Sequence, residues 1–134
     1  MEGKKSFLAH EFSVNLVKYH PNGKYLLSGG RDAHLKIWDI KNDYELVKSI
    51  PAHNYAIYSI AFSPDNKLFA TASRDKTFKL WDAENFDFLL RVNKENFDGH
   101  VNSVNAIFWS NYNNYLISAG DDRTIMLWEV FLNK

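Results

Sequence analysis

The sequence predicts an all-β protein that contains three copies of one structural unit. The first observation is that His, Ser or Thr, Asp and Trp recur three times, with steps from His of 18, 4 and 6 residues in every copy. The second is that the apolar residues between them follow the short alternating pattern of strands. The copies begin 43 and then 47 residues apart, a period typical of repeat architectures. We call each set a tetrad; the members are His10, Ser28, Asp32 and Trp38; His53, Thr71, Asp75 and Trp81; and His100, Ser118, Asp122 and Trp128.

Each copy predicts short strands in the same order. In the first strand, the fourth, seventh and ninth residues after His are always apolar or aromatic. A turn rich in Pro, Asn, Asp or Gly separates it from the second strand, and a tight turn at the tetrad Asp precedes the third. The predicted strands cover 14–19, 25–28, 35–38 and 45–50 in the first copy; 57–62, 68–71, 78–81 and 88–92 in the second; and 104–109, 115–118 and 125–128 in the third. Four extra residues between Trp81 and His100 predict a longer surface loop, with 93–96 as the expected place.

The tetrad spacing, with Trp38-Asp39 and Trp81-Asp82 closing two copies, resembles the WD40 repeat of β-propellers. The resemblance covers nearly the whole chain, 1–134, with repeats at approximately 6–41, 49–84 and 96–131. It implies four-stranded antiparallel blades. It also implies that the four tetrad side chains form one internal hydrogen-bonded chain, which fixes the loop carrying His to the second and third strands of its blade.

Ser, His and Asp are also the components of a hydrolase triad, so catalysis by a tetrad serine is an alternative. A triad needs one exposed serine beside an oxyanion hole, whereas all three copies look alike. No Gly-x-Ser-x-Gly segment accompanies any of the serines. The pattern therefore favours a structural role and predicts a protein that is not an enzyme.

Composition narrows the classes of partner. The chain has 134 residues, no cysteine, and 16 basic against 16 acidic residues. Zero net charge argues against a nucleic-acid partner, and the five histidines show no ligand spacing, so we expect no metal and no cofactor. No apolar run is long enough to predict a membrane span. We expect a cytoplasmic protein.

The resemblance to WD40 proteins also implies where a partner binds. The contact-rich positions are the third and fifth residues after His and the residue before the tetrad Asp. In this sequence they are Ser13, Asn15 and Arg31; Ala56, Tyr58 and Arg74; and Ser103, Asn105 and Asp121. Two arginines on neighbouring blades, with Tyr58 between them in the chain, suit an acidic or phosphorylated peptide. The alternative is that both arginines pair with nearby acids on a solvated rim, where ion pairs contribute little.

Three blades do not close a propeller, since propellers ordinarily have about 4–8 blades. Residues 4–8 predict an outer strand with no blade before it, and the third copy ends without an outer strand of its own. The chain is then either the C-terminal part of a longer propeller or a homo-oligomer whose two copies close a six-bladed ring. The function expected is a non-catalytic scaffold for a protein or peptide partner. The alternative is a structural fragment with no binding function of its own.

Overall fold

A computed structural model describes residues 1–131 and contains three antiparallel sheets. Their orders are β1-β2-β3-β4, β5-β6-β7-β8 and β9-β10-β11, so each sheet, or blade, is built from consecutive strands. The strands are β1 (Val14–Tyr19), β2 (Tyr25–Gly30), β3 (His34–Asp39), β4 (Glu45–Pro51), β5 (Ile57–Phe62), β6 (Leu68–Ser73), β7 (Phe78–Asp82), β8 (Phe88–Val92), β9 (Val104–Trp109), β10 (Leu116–Gly120) and β11 (Ile125–Trp128). The all-β fold and the three propeller blades predicted from the sequence are confirmed; within residues 1–131 the third blade has three strands and the other two have four.

Burial follows the order of strands within a blade. Every residue of β6 is buried, and its neighbour β7 has three buried and two half-buried residues. The outer strands β4 and β8 are mostly exposed. Small and apolar side chains at 68–73 therefore form the centre of the molecule, where a strand is covered on both faces.

Two apolar clusters join the blades. In the first, Leu35 and Ile37 of the first blade pack with Ile57 and Ile60 of the second. The second cluster continues from the opposite face of the second blade to β9 of the third. One face of each blade thus covers the facing side of the next, and repetition of this contact arranges the blades in an arc.

The face of the first blade that has no preceding blade is exposed. Val17 occupies the same repeat position as Ile60 and Ile107, yet it is 63% exposed and they are each 6% exposed. Val14 is also exposed, whereas its equivalent Ile57 is fully buried. The same apolar position is therefore covered inside the arc and uncovered at its first face.

The opposite face of the third blade is uncovered in the same way. Ile125 is 71% exposed, whereas its equivalent Phe78 is 2% exposed against the next blade. Leu127 is exposed where Leu80 is buried. The three blades form an open arc with two apolar ends.

The prediction of an outer strand at residues 4–8 is wrong. These residues have no regular secondary structure, and no strand of the described chain pairs with them in a backbone ladder. The segment is held instead by side chains. The Phe7 ring lies 5.0 Å from the Trp38 ring between centroids, and the Lys5 ammonium pairs with Asp43 at 2.8 Å.

The expected long loop between the second and third blades contains one helical turn, α1 (Lys94–Phe97). The Asn93 side chain accepts a bond from the Asn96 N–H, and the Asn96 side chain accepts one from the Asn93 N–H. This reciprocal capping supplies partners to amides that the short helix leaves unpaired. Nowhere in residues 1–131 is a helix long and apolar enough to cross a membrane.

Candidate functional site

In the second blade the tetrad side chains form one chain of hydrogen bonds. The Trp81 Nε1–H donates to the Thr71 hydroxyl at 2.9 Å, and that hydroxyl lies 2.8 Å from His53 Nε2. His53 Nδ1 lies 2.8 Å from the Asp75 carboxylate. Because the carboxylate only accepts, Nδ1 carries the hydrogen, and Nε2 of the neutral ring accepts from Thr71. Every polar atom of the chain then has a partner.

The other two tetrads repeat this geometry. The Trp-to-Ser, Ser-to-His and His-to-Asp distances are 2.9, 2.8 and 2.9 Å in both. All three imidazoles are fully shielded from solvent, and the three carboxylates are nearly so. The Asp side chain also accepts the N–H of the residue that follows His, which fixes the loop entering each blade.

The bonds around each Asp determine its charge. Burial alone would raise the pKa of Asp75, but the bonds from His53 and Thr77 lower that pKa to about 2. The pKa values of Asp32 and Asp122 are lowered for the same reason, against the opposing effect of burial. Burial lowers the pKa of His53, and its bond to Asp75 opposes that effect. The pair is therefore a carboxylate with a neutral imidazole.

The hydroxyls of the tetrads are not placed for nucleophilic attack. Ser28, Thr71 and Ser118 are all buried, and each hydroxyl is bonded to its Trp and its His. The hydrolase alternative requires one exposed serine that differs from the other two. No copy differs in this way, so the tetrads connect the strands and loops of the blades.

Loops from all three blades meet on the face that carries the tetrad histidines, which we call the loop face. Arg31 and Arg74 occupy equivalent positions there, and both are exposed. The Arg31 guanidinium lies 5.5 Å from the centre of the Phe12 ring, and that of Arg74 lies 5.7 Å from the centre of the Tyr55 ring. Within residues 1–131 neither arginine forms an ion pair with a carboxylate. The rim ion pairs considered as the alternative are not formed.

Sequence reasoning missed the aromatic partners of these arginines. Phe12 and Tyr55 are each the second residue after a tetrad His, so their shared position was the available signal. Tyr58, which the sequence placed between the two arginines, is half-buried, and each guanidinium lies over the aromatic ring of its own blade instead.

Several of the predicted contact positions connect blades to each other. The Asn15 amide donates to the Ile57 carbonyl of the second blade at 3.1 Å. The Ser103 hydroxyl donates to the Arg74 carbonyl at 3.3 Å. These bonds hold neighbouring loops in a fixed relation, which makes the loop face a preorganised surface.

The remaining predicted contact positions differ in whether they expose a side chain to a partner. Ser13 is exposed, and its carbonyl accepts the Arg31 N–H. Ala56 is buried, and its carbonyl accepts the Arg74 N–H, so it offers no side chain to a partner. In the third blade the exposed Asn105 amide donates to the Asp121 carboxylate. At the position before the tetrad Asp, the loop face therefore presents an arginine on two blades and an aspartate on the third.

Comparison with known proteins agrees with this architecture. The family model described as "WD domain, G-beta repeat" matches residues 2–39, 44–82 and 91–129. Two solved structures, U3-55K and the RRP9 WD40 repeats, superpose with a TM-score of 0.81 at 22% sequence identity; 92% of this chain matches 38% and 37% of theirs.

Two curated relatives extend over most of the chain. A subunit of chromatin assembly factor 1 from Gallus gallus is 26% identical over 127 residues, which are 90% of this chain and 17% of the relative. Protein HIRA of Dictyostelium discoideum is 29% identical over 121 residues, 90% of this chain and 8% of the relative. The chain thus spans less than a fifth of these two relatives. The three family-model matches together cover most of the sequence, and the chain belongs to the WD40 repeat family.

Proposed function

We propose that the chain is a non-catalytic interaction scaffold that binds an acidic or phosphorylated protein segment on its loop face. The observation that carries the proposal is the repeated pair of an exposed arginine and an aromatic ring, Arg31 with Phe12 and Arg74 with Tyr55. The two pairs lie on adjacent blades. An extended peptide that crosses from one blade to the next would meet both.

The chemistry of the arginine–aromatic pairs supports an acidic partner. An arginine that lies over an aromatic ring keeps the N–H groups at the edge of its guanidinium free, and these donate to a carboxylate or phosphate in two parallel bonds. The ring restricts the rotamers of the side chain, so less conformational entropy is lost on binding. Acidic residues of the partner therefore fit the first two blades better than the third, where Asp121 stands at the equivalent position.

The relatives support a protein partner. The chicken relative is named as a subunit of a chromatin assembly factor, and a subunit works in contact with other proteins. The buried tetrad hydroxyls argue against their use as nucleophiles, since no substrate reaches them.

The test is a peptide-binding measurement with charge-matched variants. Fluorescence anisotropy would measure the affinity of a glutamate-rich peptide and of the same peptide with one phosphoserine. Arg74→Ala is expected to weaken binding by roughly 10- to 100-fold, because hydrogen bonds to charged groups contribute about 1.5–3 kcal/mol. Lys24→Ala is the control, since Lys24 is an exposed cation in the turn between β1 and β2, at the other end of these strands from the loop face. Equal affinities of the Arg74 and Lys24 variants would contradict the proposal.

A further inference from the structure

A cavity of about 400 Å³ opens between the second blade and the segment that leads to the third. Its volume lies within the range of about 300–1,000 Å³ that is usual for small-ligand sites. None of the nine loop-face positions lines it. We call it the insertion pocket, because one wall is formed by Asn93, Lys94 and Glu95 of the lengthened connection.

Four cations line the insertion pocket: Lys76, Lys79, Arg91 and Lys94. Two carboxylates also line it, Asp75 and Glu95, but Asp75 is already engaged by His53 and by the side chain of Thr77. Within residues 1–131 no carboxylate forms an ion pair with Lys76, Lys79 or Arg91. Lys94 pairs with Asp98. The pocket therefore concentrates positive charge that its own acids do not neutralise.

Two of these cations stand directly opposite each other in the sheet. Lys79 on β7 is the register partner of Arg91 on β8, and like charges in opposed positions destabilise a strand pair. Burial lowers the pKa of the Lys79 ammonium, and the Arg91 charge lowers it further, against the opposing charge of Asp75. An anion bound between the two cations would convert this repulsion into two attractions.

The first blade shows which of these cations the fold requires. Lys36 is the equivalent of Lys79, and each ammonium donates to the carbonyl of the residue before a tetrad His, at 2.7 and 2.6 Å. This lysine is therefore part of the blade structure. The bond to the Ala52 carbonyl fixes the position of the Lys79 ammonium in the pocket.

The other three cations have no counterpart in the first blade. Ala33 stands at the position of Lys76. In strand register Ser49 lies opposite Lys36, as Arg91 lies opposite Lys79. Lys94 belongs to the connection with four extra residues. A blade folds without these three charges, so their collection around one cavity is not explained by the fold.

We propose that the insertion pocket binds a phosphate-class oxyanion, carried either free or on a side chain of a protein partner. The Arg91 guanidinium offers parallel donors to two oxygens, and Lys76 and Lys94 add point charges from two sides. The pocket includes none of the nine predicted contact positions of the loop face, and its existence does not depend on the peptide binding proposed there.

The test uses the full chain with inorganic pyrophosphate as the probe, at constant ionic strength maintained with chloride. The double variant Lys76→Ala and Arg91→Ser gives the second blade the residues of the first. Calorimetry is expected to show at least a tenfold loss of pyrophosphate affinity for this variant. The control double variant Lys24→Ala and Lys41→Ser removes two exposed lysines that do not line the pocket, and it should bind as the unmodified chain does.

Thermal unfolding provides a second readout that a purely structural role would not give. Without anion, Arg91→Ser should unfold at the same temperature as the unmodified chain or higher, because a like-charge pair has been removed. With saturating pyrophosphate, Arg91→Ser should unfold at a lower temperature than the unmodified chain. An equal loss of affinity in the control double variant, or no pyrophosphate binding by the unmodified chain, would overturn the proposal.

Two further measurements identify the source of the oxyanion and distinguish binding in the pocket from binding at Arg74. A phosphoserine peptide that still binds the Arg74→Ala variant, and that pyrophosphate displaces from it, would assign the pocket to a phosphorylated partner. Pyrophosphate binding with no displaceable peptide would assign it to a free anion. Arg74→Ala should leave pyrophosphate affinity unchanged, and a tenfold loss in that variant would show that the anion binds at the loop face instead.

Discussion

Replacement of Thr71 by valine tests the tetrad interpretation directly. Thr71 is fully buried, and its hydroxyl accepts from Trp81 Nε1–H and donates to His53 Nε2, at 2.9 and 2.8 Å. Valine has nearly the shape of threonine, so the substitution removes the hydroxyl without creating a cavity. One buried donor and one buried acceptor lose their partner together.

The expected loss of stability follows from the two polar groups left without a partner. Each buried polar group left without a partner costs about 1–3 kcal/mol, so Thr71→Val should reduce the free energy of unfolding by roughly 2–6 kcal/mol. Thr71→Ser is the matched control, because the other two tetrads already use Ser28 and Ser118 at this position. The serine variant keeps both bonds and loses one buried methyl group, which costs about 0.8 kcal/mol in transfer free energy.

Urea unfolding monitored by tryptophan fluorescence measures the difference. With a denaturant slope of about 1–3 kcal/mol per molar, the valine variant should unfold at a urea concentration lower by an amount on the order of 1–3 M. Hydrogen exchange of the indole N–H groups gives a local readout. The Trp81 N–H should exchange faster in the valine variant, whereas those of Trp38 and Trp128 should lose less protection. Equal midpoints and equal Trp81 exchange in the valine and serine variants would refute the hydrogen-bonded chain.

Two other predictions concern the interface between blades and the response to acid. His20 Nε2–H donates to the Ala83 carbonyl of the second blade at 2.6 Å, so His20→Ala should lower the free energy of unfolding by roughly 1–3 kcal/mol. His34→Ala, which removes only a bond within its own turn, should cost less in the same urea measurement. Acid should destabilise the chain, because the lowered pKa values of His53 and Asp75 mean that the folded state binds protons more weakly than the unfolded state. Stability present at pH 7 should fall first below about pH 6.5 through His53 and again between about pH 4 and 2 through the carboxylates; a urea midpoint that stays constant from pH 7 to 3 would contradict this.

The strands could be predicted closely because their signals are local. The predicted ranges 14–19, 57–62 and 104–109 coincide with β1, β5 and β9, since alternating apolar residues lie between a His-containing loop and a turn. The second strand extends beyond the predicted range in all three blades, to Gly30, Ser73 and Gly120. Small residues at these ends allow close approach to the preceding loop, and single-sequence patterns do not indicate that a strand continues through them.

The features that could not be predicted depend on contacts between distant segments. The sequence predicts an outer strand at residues 4–8, but a strand needs a neighbour, and neighbours are not visible in a local pattern. The ring over which an arginine lies is equally non-local: Arg74 follows Tyr55 by 19 residues. The insertion pocket requires the register of Lys79 with Arg91 as well as the position of α1, and both are properties of the folded chain.

The repeat itself separates what the fold needs from what it does not. All three blades keep the tetrad with the same distances, so substitution there disturbs a structure that the chain uses three times. The fold does not require a particular residue at positions that differ between equivalent blades. Arg31 and Arg74 are matched by an aspartate in the third blade, and Lys76 is matched by an alanine in the first. In strand register Arg91 is matched by a serine of the first blade. A blade folds with either set of residues, so the fold does not require these charges. Substitutions of these charged residues should therefore change binding and leave the unfolding midpoint nearly unaltered.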